Sequence, residues 1–253
     1  MGKKPITRWR AASIHLGMSA LVAALVFAVI YFVWYPGALY DAAGGRELFL
    51  LITCVNVAIG PLITLIIYVP GKRGLKFDLA TIAVLQVAAL AYGTWVLFDS
   101  RPVWIVYVTD RYELVRANQV LETERPKAKP PYNGLSVTGP RLVGARLPKD
   151  PNEQLRIALS AAVGQDVQTY PQYLVPYDDV KQQVIGHAKS IARLRELNPG
   201  EGARIDRLVA RSGRKELLLG FLPMRAGKTD LTVLVDRRDG EFLGTASLRP
   251  WRY

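Results

Sequence analysis

Thr53, Asn56, Gly60, Pro61 and Thr64 stand inside residues 48–69, a stretch with no charged residue. An amide and two hydroxyls are costly in hydrocarbon unless they are hydrogen-bonded. The chemistry open to them is therefore recognition by hydrogen bonding. Spaced by three, four and four residues, Thr53, Asn56, Gly60 and Thr64 fall within one narrow arc of a helix. Pro61 has no N–H, which frees the carbonyl four residues earlier, that of Val57. Gln86 aligns with Ala89 and Gly93 in a second apolar stretch, and Ser13, Gly17, Ala20, Ala24 and Ala28 align in a third, with His15 on the opposite side. In lipid, small and polar residues on one stripe mark helix–helix packing. Their commoner use is to pack a protein's own helices. Three such stripes exceed that need, so a fourth helix, from another protein, is the expected user of the remainder.

Catalytic chemistry finds little support. The run "AGKTD" (226–230) resembles the end of a phosphate loop, but Leu222 stands where that motif needs glycine. His187 and Ser190 lie three apart without a nucleophile elbow, and a solvated helical histidine is the expected reading. Two histidines and one cysteine do not suffice for a metal cluster. Asp178 and Asp179 open a helix, where carboxylates favour the dipole. A membrane aspartyl peptidase needs two aspartates near one face, and Asp78 stands alone there. No enzyme, cofactor or metal is expected.

The elements that must position these residues are three apolar segments of about 20 residues, near 11–34, 48–69 and 79–98. Each is long enough to span a bilayer. The first has a basic start, but its apolar run is too long for a signal core and it ends in "FVWYPG", an aromatic boundary. Before residue 99, seven of eight Lys/Arg lie in the N-terminal segment or in "GKRGLK", and only Arg46 lies between the first two spans. The positive-inside rule places the N-terminus in the cytoplasm and residues 99–253 outside.

From Arg101 onward the outer region carries 25 Lys/Arg against 17 Asp/Glu, a net +8. The charge is dispersed and lacks an RNA-binding signature, so it suits an anionic membrane surface, the lipid bilayer itself, better than nucleic acid. Without cysteine it must fold on its core alone, which a domain of its length can do from about Arg101. "PVWIVYVTD" reads as a strand and "DRYELVRAN" as a short helix capped by Asp110. Residues 125–151 read as a long proline-rich connection. Asp150, Pro151 and Glu153 form a capping-box pattern. Val180, Val184, Ala188, Ile191 and Leu194 form the stripe of one amphipathic helix, and "IDRLVAR" reads as a helix by a slight margin over a strand. "KELLLGFLPM", "DLTVLVD" and "GEFLGTASL" read as strands, with Gly240 in a hairpin turn. The fold class is thus a membrane protein: three N-terminal transmembrane helices, then an α+β extracytoplasmic domain with a small antiparallel sheet.

"WYPG", "GPLITLI", "GKRGLKFDL" and the closing "LRPW", with "RPVWIVYVTDRYELV" and "PQYLVPYDDV" between them, resemble the TfpX/TfpZ-type type IV pilin accessory proteins. The likeness covers nearly the whole chain in order and is weakest in the proline-rich stretch. It implies a bacterial inner-membrane protein that acts as a dedicated chaperone of the major type IV pilin, alongside other pilus assembly proteins. It assigns no binding residue position by position. A pilin awaiting assembly is one apolar helix bearing a buried glutamate, and Asn56, Thr64 or a freed carbonyl could satisfy that charge; Gln86 joins them as a candidate contact. The alternative is a membrane-anchored periplasmic ligand-binding sensor, which the two short cytoplasmic segments disfavour.

Overall fold

The computed structural model describes residues 6–252; Lys3 and Lys4 of the basic start and Tyr253 lie outside the described residues. The chain divides into two compact units, residues 1–33 with 45–99, and residues 34–44 with 100–253.

The first unit is built on three helices, α1 (Arg8–Trp34), α2 (Gly45–Ile67) and α3 (Leu75–Asp99), with mean hydropathies of 2.5, 2.4 and 1.7. Each exceeds the roughly 20 residues that cross a bilayer. Thr7 caps α1, its hydroxyl accepting from the Arg10 N–H. Large apolar side chains such as Leu21, Leu25, Leu51, Ile66 and Val84 are exposed. In water such a surface would drive association; against lipid it needs no cover. The chain is therefore a multi-pass membrane protein. Within α2, Cys54–Ile59 winds as a π-helix immediately before Pro61. Pro61 has no N–H in either register; in a π turn a carbonyl meets the N–H five residues on, so the carbonyl that Pro61 leaves without a backbone partner moves from that of Val57 to that of Asn56.

The second unit is an α+β domain. Its sheet runs in the order β4-β3-β1-β2-β6-β7-β8, with β5 on β6. The strands are β1 (Pro102–Val108), β2 (Arg111–Arg116), β3 (Arg141–Ala145), β4 (Leu174–Val175), β5 (Lys189–Ser190), β6 (Leu219–Arg225), β7 (Leu231–Asp236) and β8 (Phe242–Ala246). The fold class stands as expected. The sheet within it is larger and mixed: β1 pairs β3 and β2 pairs β6 in parallel, and the remaining ladders are antiparallel. The three C-terminal strands form as expected, and Gly240 turns between β7 and β8 at φ 73°.

Four local expectations differ. "DRYELVRAN" is strand β2, not a helix: Thr109 and Asp110 make a two-residue hairpin turn, and Tyr112 and Leu114 alternate into the core. Asp110 binds Arg111 in that turn and caps nothing. The proline-rich connection contains β3, whose Val143 and Ala145 are buried. Asp150 does cap α4 (Pro151–Ala161), accepting from the Asn152 N–H, but Glu153 turns to Arg156 and Tyr173 instead of back to the cap. The single amphipathic helix is two, α5 (Lys181–His187) and α6 (Ile191–Leu197). Between them Lys189 and Ser190 pair with β6, and the Ser190 hydroxyl starts α6 by accepting from the Arg193 N–H. Val180, Val184, Ile191 and Leu194 are still buried, since each piece presents its own apolar face. "IDRLVAR" is helical, within α7 (Gly202–Ser212).

One core cluster gathers Trp104, Val106, Val143, Ile157 and Tyr170; another gathers Ile191, Leu194, Ile205, Phe221 and Leu234. Residues 34–44 belong to this domain. Tyr35, Leu39 and Ala42 are buried, and the Lys228 N–H donates to the Ala42 carbonyl (3.0 Å). His187 ends α5 and is exposed, as expected, with its Nδ1 2.9 Å from the Tyr107 hydroxyl and 2.9 Å from the Gln183 carbonyl.

Candidate functional site

The polar residues of the membrane helices come together. Asn56, Gly60, Pro61 and Thr64 are buried, and Thr53 is half-buried. Asn56 donates from Nδ2 to the Ile52 carbonyl (3.0 Å), and Thr64 from Oγ1 to the Gly60 carbonyl (3.1 Å). Each bonds back into α2, a polar group's usual refuge where neighbours are apolar. Two further bonds tie the helices together. Gln86 of α3 donates from Nε2 to the Asn56 carbonyl (3.0 Å), and His15 of α1 meets the Thr64 hydroxyl through Nδ1 (2.7 Å). Gly60 permits the α2–α3 contact, because a Cβ there would fall on the Gln86 amide; Gly93 likewise accommodates Ile52. Asn56, Gly60, Thr64 and Gln86 are thus brought into contact and His15 joins them at Thr64, whereas Thr53 lies a turn before Asn56 and Pro61 is simply buried after Gly60. A lone imidazole in an apolar helix was the signal for His15.

The small-residue stripe of α1 is placed differently. Ser13, Gly17, Ala20 and Ala24 are exposed and Ala28 is half-buried, whereas Ala12, His15, Ser19, Ala23 and Val26 turn inward. No atom lies within 4 Å of a Cβ built at Gly17.

Beside this polar centre lies a groove of about 190 Å³, to which all three helices contribute. His15, Ser19, Thr53, Asn56 and Gln86 are its polar lining; Met18, Val22, Val87 and Leu90 are among its apolar walls. Thr53 Oγ1 is buried there without a hydrogen-bond partner. In hydrocarbon an unsatisfied hydroxyl is unfavourable by roughly 1–3 kcal/mol, so a hydrogen-bond partner for Thr53 would stabilise this part of the membrane unit. A second groove of about 450 Å³ opens on the far side of Gln86, between Gly60, Ile63, Phe77 and Thr81. Asp78 borders it and pairs with Lys72 (2.7 Å).

Comparison with known proteins places the chain. A fimbrial assembly protein of serogroup I from Dichelobacter nodosus is 32% identical over 185 residues, 72% of each chain. The chain belongs to the fimbrial assembly protein family. Further fimbrial assembly proteins of that organism agree. The serogroup E1 protein is 31% identical over 185 residues, again 72% of each chain, and that of serogroups C1 and C2 is 37% identical over 120 residues, 46% of this chain and 91% of that one. A family model described as fimbrial assembly protein FimB matches residues 3–44, the segment that contains α1 and the buried 34–44 turn. No solved structure matches. The α1 face of the groove in this fimbrial assembly protein lies inside the region the family model covers, so His15 and Ser19 fall within it.

Proposed function

We propose that this chain binds the major type IV pilin in the bacterial inner membrane and promotes its stability or assembly, as a TfpX/TfpZ-type accessory protein and chaperone, not an enzyme. The observation that carries the reading is the lateral groove: polar groups from three membrane helices converge on it, and the Thr53 hydroxyl has no partner. A pilin helix seated there would bring its buried carboxyl to Thr53, which can donate to the carboxylate or accept from the acid. The family supports a role in pilus assembly. The distribution of Lys and Arg before residue 99 supports a cytoplasmic N-terminus and a periplasmic C-terminal domain.

The test is a photoreactive residue at Val87, 66% exposed on the groove wall, in cells making pilin. A pilin adduct from Val87, absent from Leu50 at 57% exposure away from the groove, is expected. Equal adducts at both sites, or none with pilin at either Val87 or Met18, would remove the groove as the docking place.

A further inference from the structure

Helix α4 has two apolar faces, and the core of the C-terminal domain takes only one of them. Ile157 is buried in the cluster of Trp104 and Tyr170. On the opposite side lie Leu155, Ala158 and Leu159, continued by Ala162 and Val163 in the turn that closes the helix. Their spacing of three, one, three and one residues keeps them on a single face. All five are exposed, Leu155 by 60%, Leu159 by 68% and Val163 by 78%. Charge is confined to the first turns, where Asp150 caps the helix and Glu153 pairs with Arg156. From Ile157 to Gln165 the sequence has no charged residue. In water such a face is unfavourable, and it marks a surface that something covers.

The polar groups of this uncharged half need no water. The Ser160 hydroxyl bonds back into the helix, donating to the Arg156 carbonyl (2.9 Å). A helix ordinarily ends on carbonyls that solvent or a cap must satisfy. Here Gly164, at φ 83°, turns the chain back on the helix end. The Gln165 N–H then donates to the Ser160 carbonyl (3.1 Å), the Gly164 N–H to that of Ala161 (3.0 Å) and the Ala162 N–H to that of Leu159 (3.3 Å). The end of α4 thus meets the condition that hydrocarbon sets, backbone groups paired within the protein.

The covalent tether of the domain says what lies in reach of this face. Residues 34–44 belong to the domain and join α1 to α2 with no spacer at either end. Strand β1 begins three residues after α3 ends, a reach of about 10 Å. The domain is therefore held at the bilayer by three points of its chain. A second copy is the poorer occupant. A stripe of five residues with no charge to fix a register falls far below the roughly 20–30 residues a side of a stable protein interface. Lipid requires neither register nor matched shape.

We infer that the outer face of α4 inserts into the acyl-chain boundary of the bilayer and holds the C-terminal domain against the membrane. Faces of this kind sink roughly 5–10 Å below the headgroups. The charged first turns stay among the headgroups, and Leu159 and Val163, on the uncharged half, go in deepest.

The experiment uses the full chain at one copy per lipid nanodisc, with Cys54→Ala and a nitroxide carried in turn by Leu155→Cys, Leu159→Cys or Val163→Cys. Leu25→Cys on α1 is the lipid reference, and Gln182→Cys, at an exposed position of α5, the aqueous one. Collisions of each label with oxygen, which concentrates in hydrocarbon, are compared with collisions with a water-soluble nickel chelate. At Leu159 and Val163 the nickel collisions are expected to be lost, as at Leu25, and the oxygen collisions kept; Gln182 keeps its nickel collisions. Reading three positions on one face prevents a single misfolded variant from deciding the result. Nickel collisions at Leu159 and Val163 equal to those at Gln182 overturn the inference, since the face then meets water. Loss of both kinds of collision also overturns it, since protein then covers the face.

Discussion

Single residues carry unequal weight in this protein. Gly60 is the tightest point of the membrane unit, since Gln86 occupies the space a side chain would need. Gly60→Leu is expected to expel Gln86, break its bond to the Asn56 carbonyl and lower accumulation of the protein, with a loss on the order of 1–3 kcal/mol for overpacking. Gly60→Ser should be milder; accumulation in membranes, read by immunoblot beside wild type, checks both. Glu113 sets a pH dependence. Its folded-state pKa is raised from 4.5 to about 7, so the folded protein holds a proton that the unfolded chain gives up. Between those values stability therefore falls as pH rises, and above about 7 the full cost of the buried carboxylate is present. Glu113→Gln removes that term. Its thermal midpoint relative to wild type should rise from pH 5 to pH 8, and a constant difference would contradict the assignment.

At the scale of elements, the β1–β2 hairpin turns through Thr109 at φ 55°, a left-handed conformation that a β-branched residue adopts at a cost of about 1–2 kcal/mol. Thr109→Gly should relieve it and stabilise the domain by about 1 kcal/mol after glycine's own entropy is counted, measurable as a rise in the thermal midpoint. Helix α1 presents its small-residue stripe outward, and its polar residues His15 and Ser19 inward. A Cβ at Gly17 meets no other part of the chain within 4 Å, so Gly17→Leu should accumulate at the wild-type level. If pilus assembly then fails, a partner helix uses that stripe as well as the groove; if assembly is unchanged, docking is confined to the groove side.

For the whole molecule, the two-unit division matters for any attempt to isolate the C-terminal domain. A fragment beginning at Arg101 lacks Tyr35, Leu39 and Ala42, which are buried in the same unit, together with the Ala42 carbonyl that accepts from Lys228. Such a fragment is expected to unfold at lower temperature than one in which residues 34–44 are fused ahead of residue 100, by circular dichroism under reducing conditions. Topology is checked independently. Reporter fusions after Lys72 and after Arg252 should report opposite sides of the membrane, and the same side for both would contradict three crossings.

Composition and period alone were enough for the three membrane helices, because a run of some 20 uncharged apolar residues has few other stable outcomes in a cell. The last three strands and the Gly240 turn were legible for a similar reason, since apolar β-branched runs broken by "RRDG" signal a hairpin locally. The helical stripe of Thr53, Asn56, Gly60 and Thr64 was also legible, as angular spacing on a helix needs no tertiary information. Which groups answer it was not. Gln86 and His15 reach α2 from 30 and 49 positions away only because three helices are packed side by side. Likewise "YELV" became a strand because β1 and β6 lay on either side to pair with it, and the 181–197 helix broke because Lys189 and Ser190 found backbone partners on β6. The outward turn of the α1 stripe has the same origin. Helical spacing puts residues on one face, but only packing against neighbours decides whether that face meets protein or lipid.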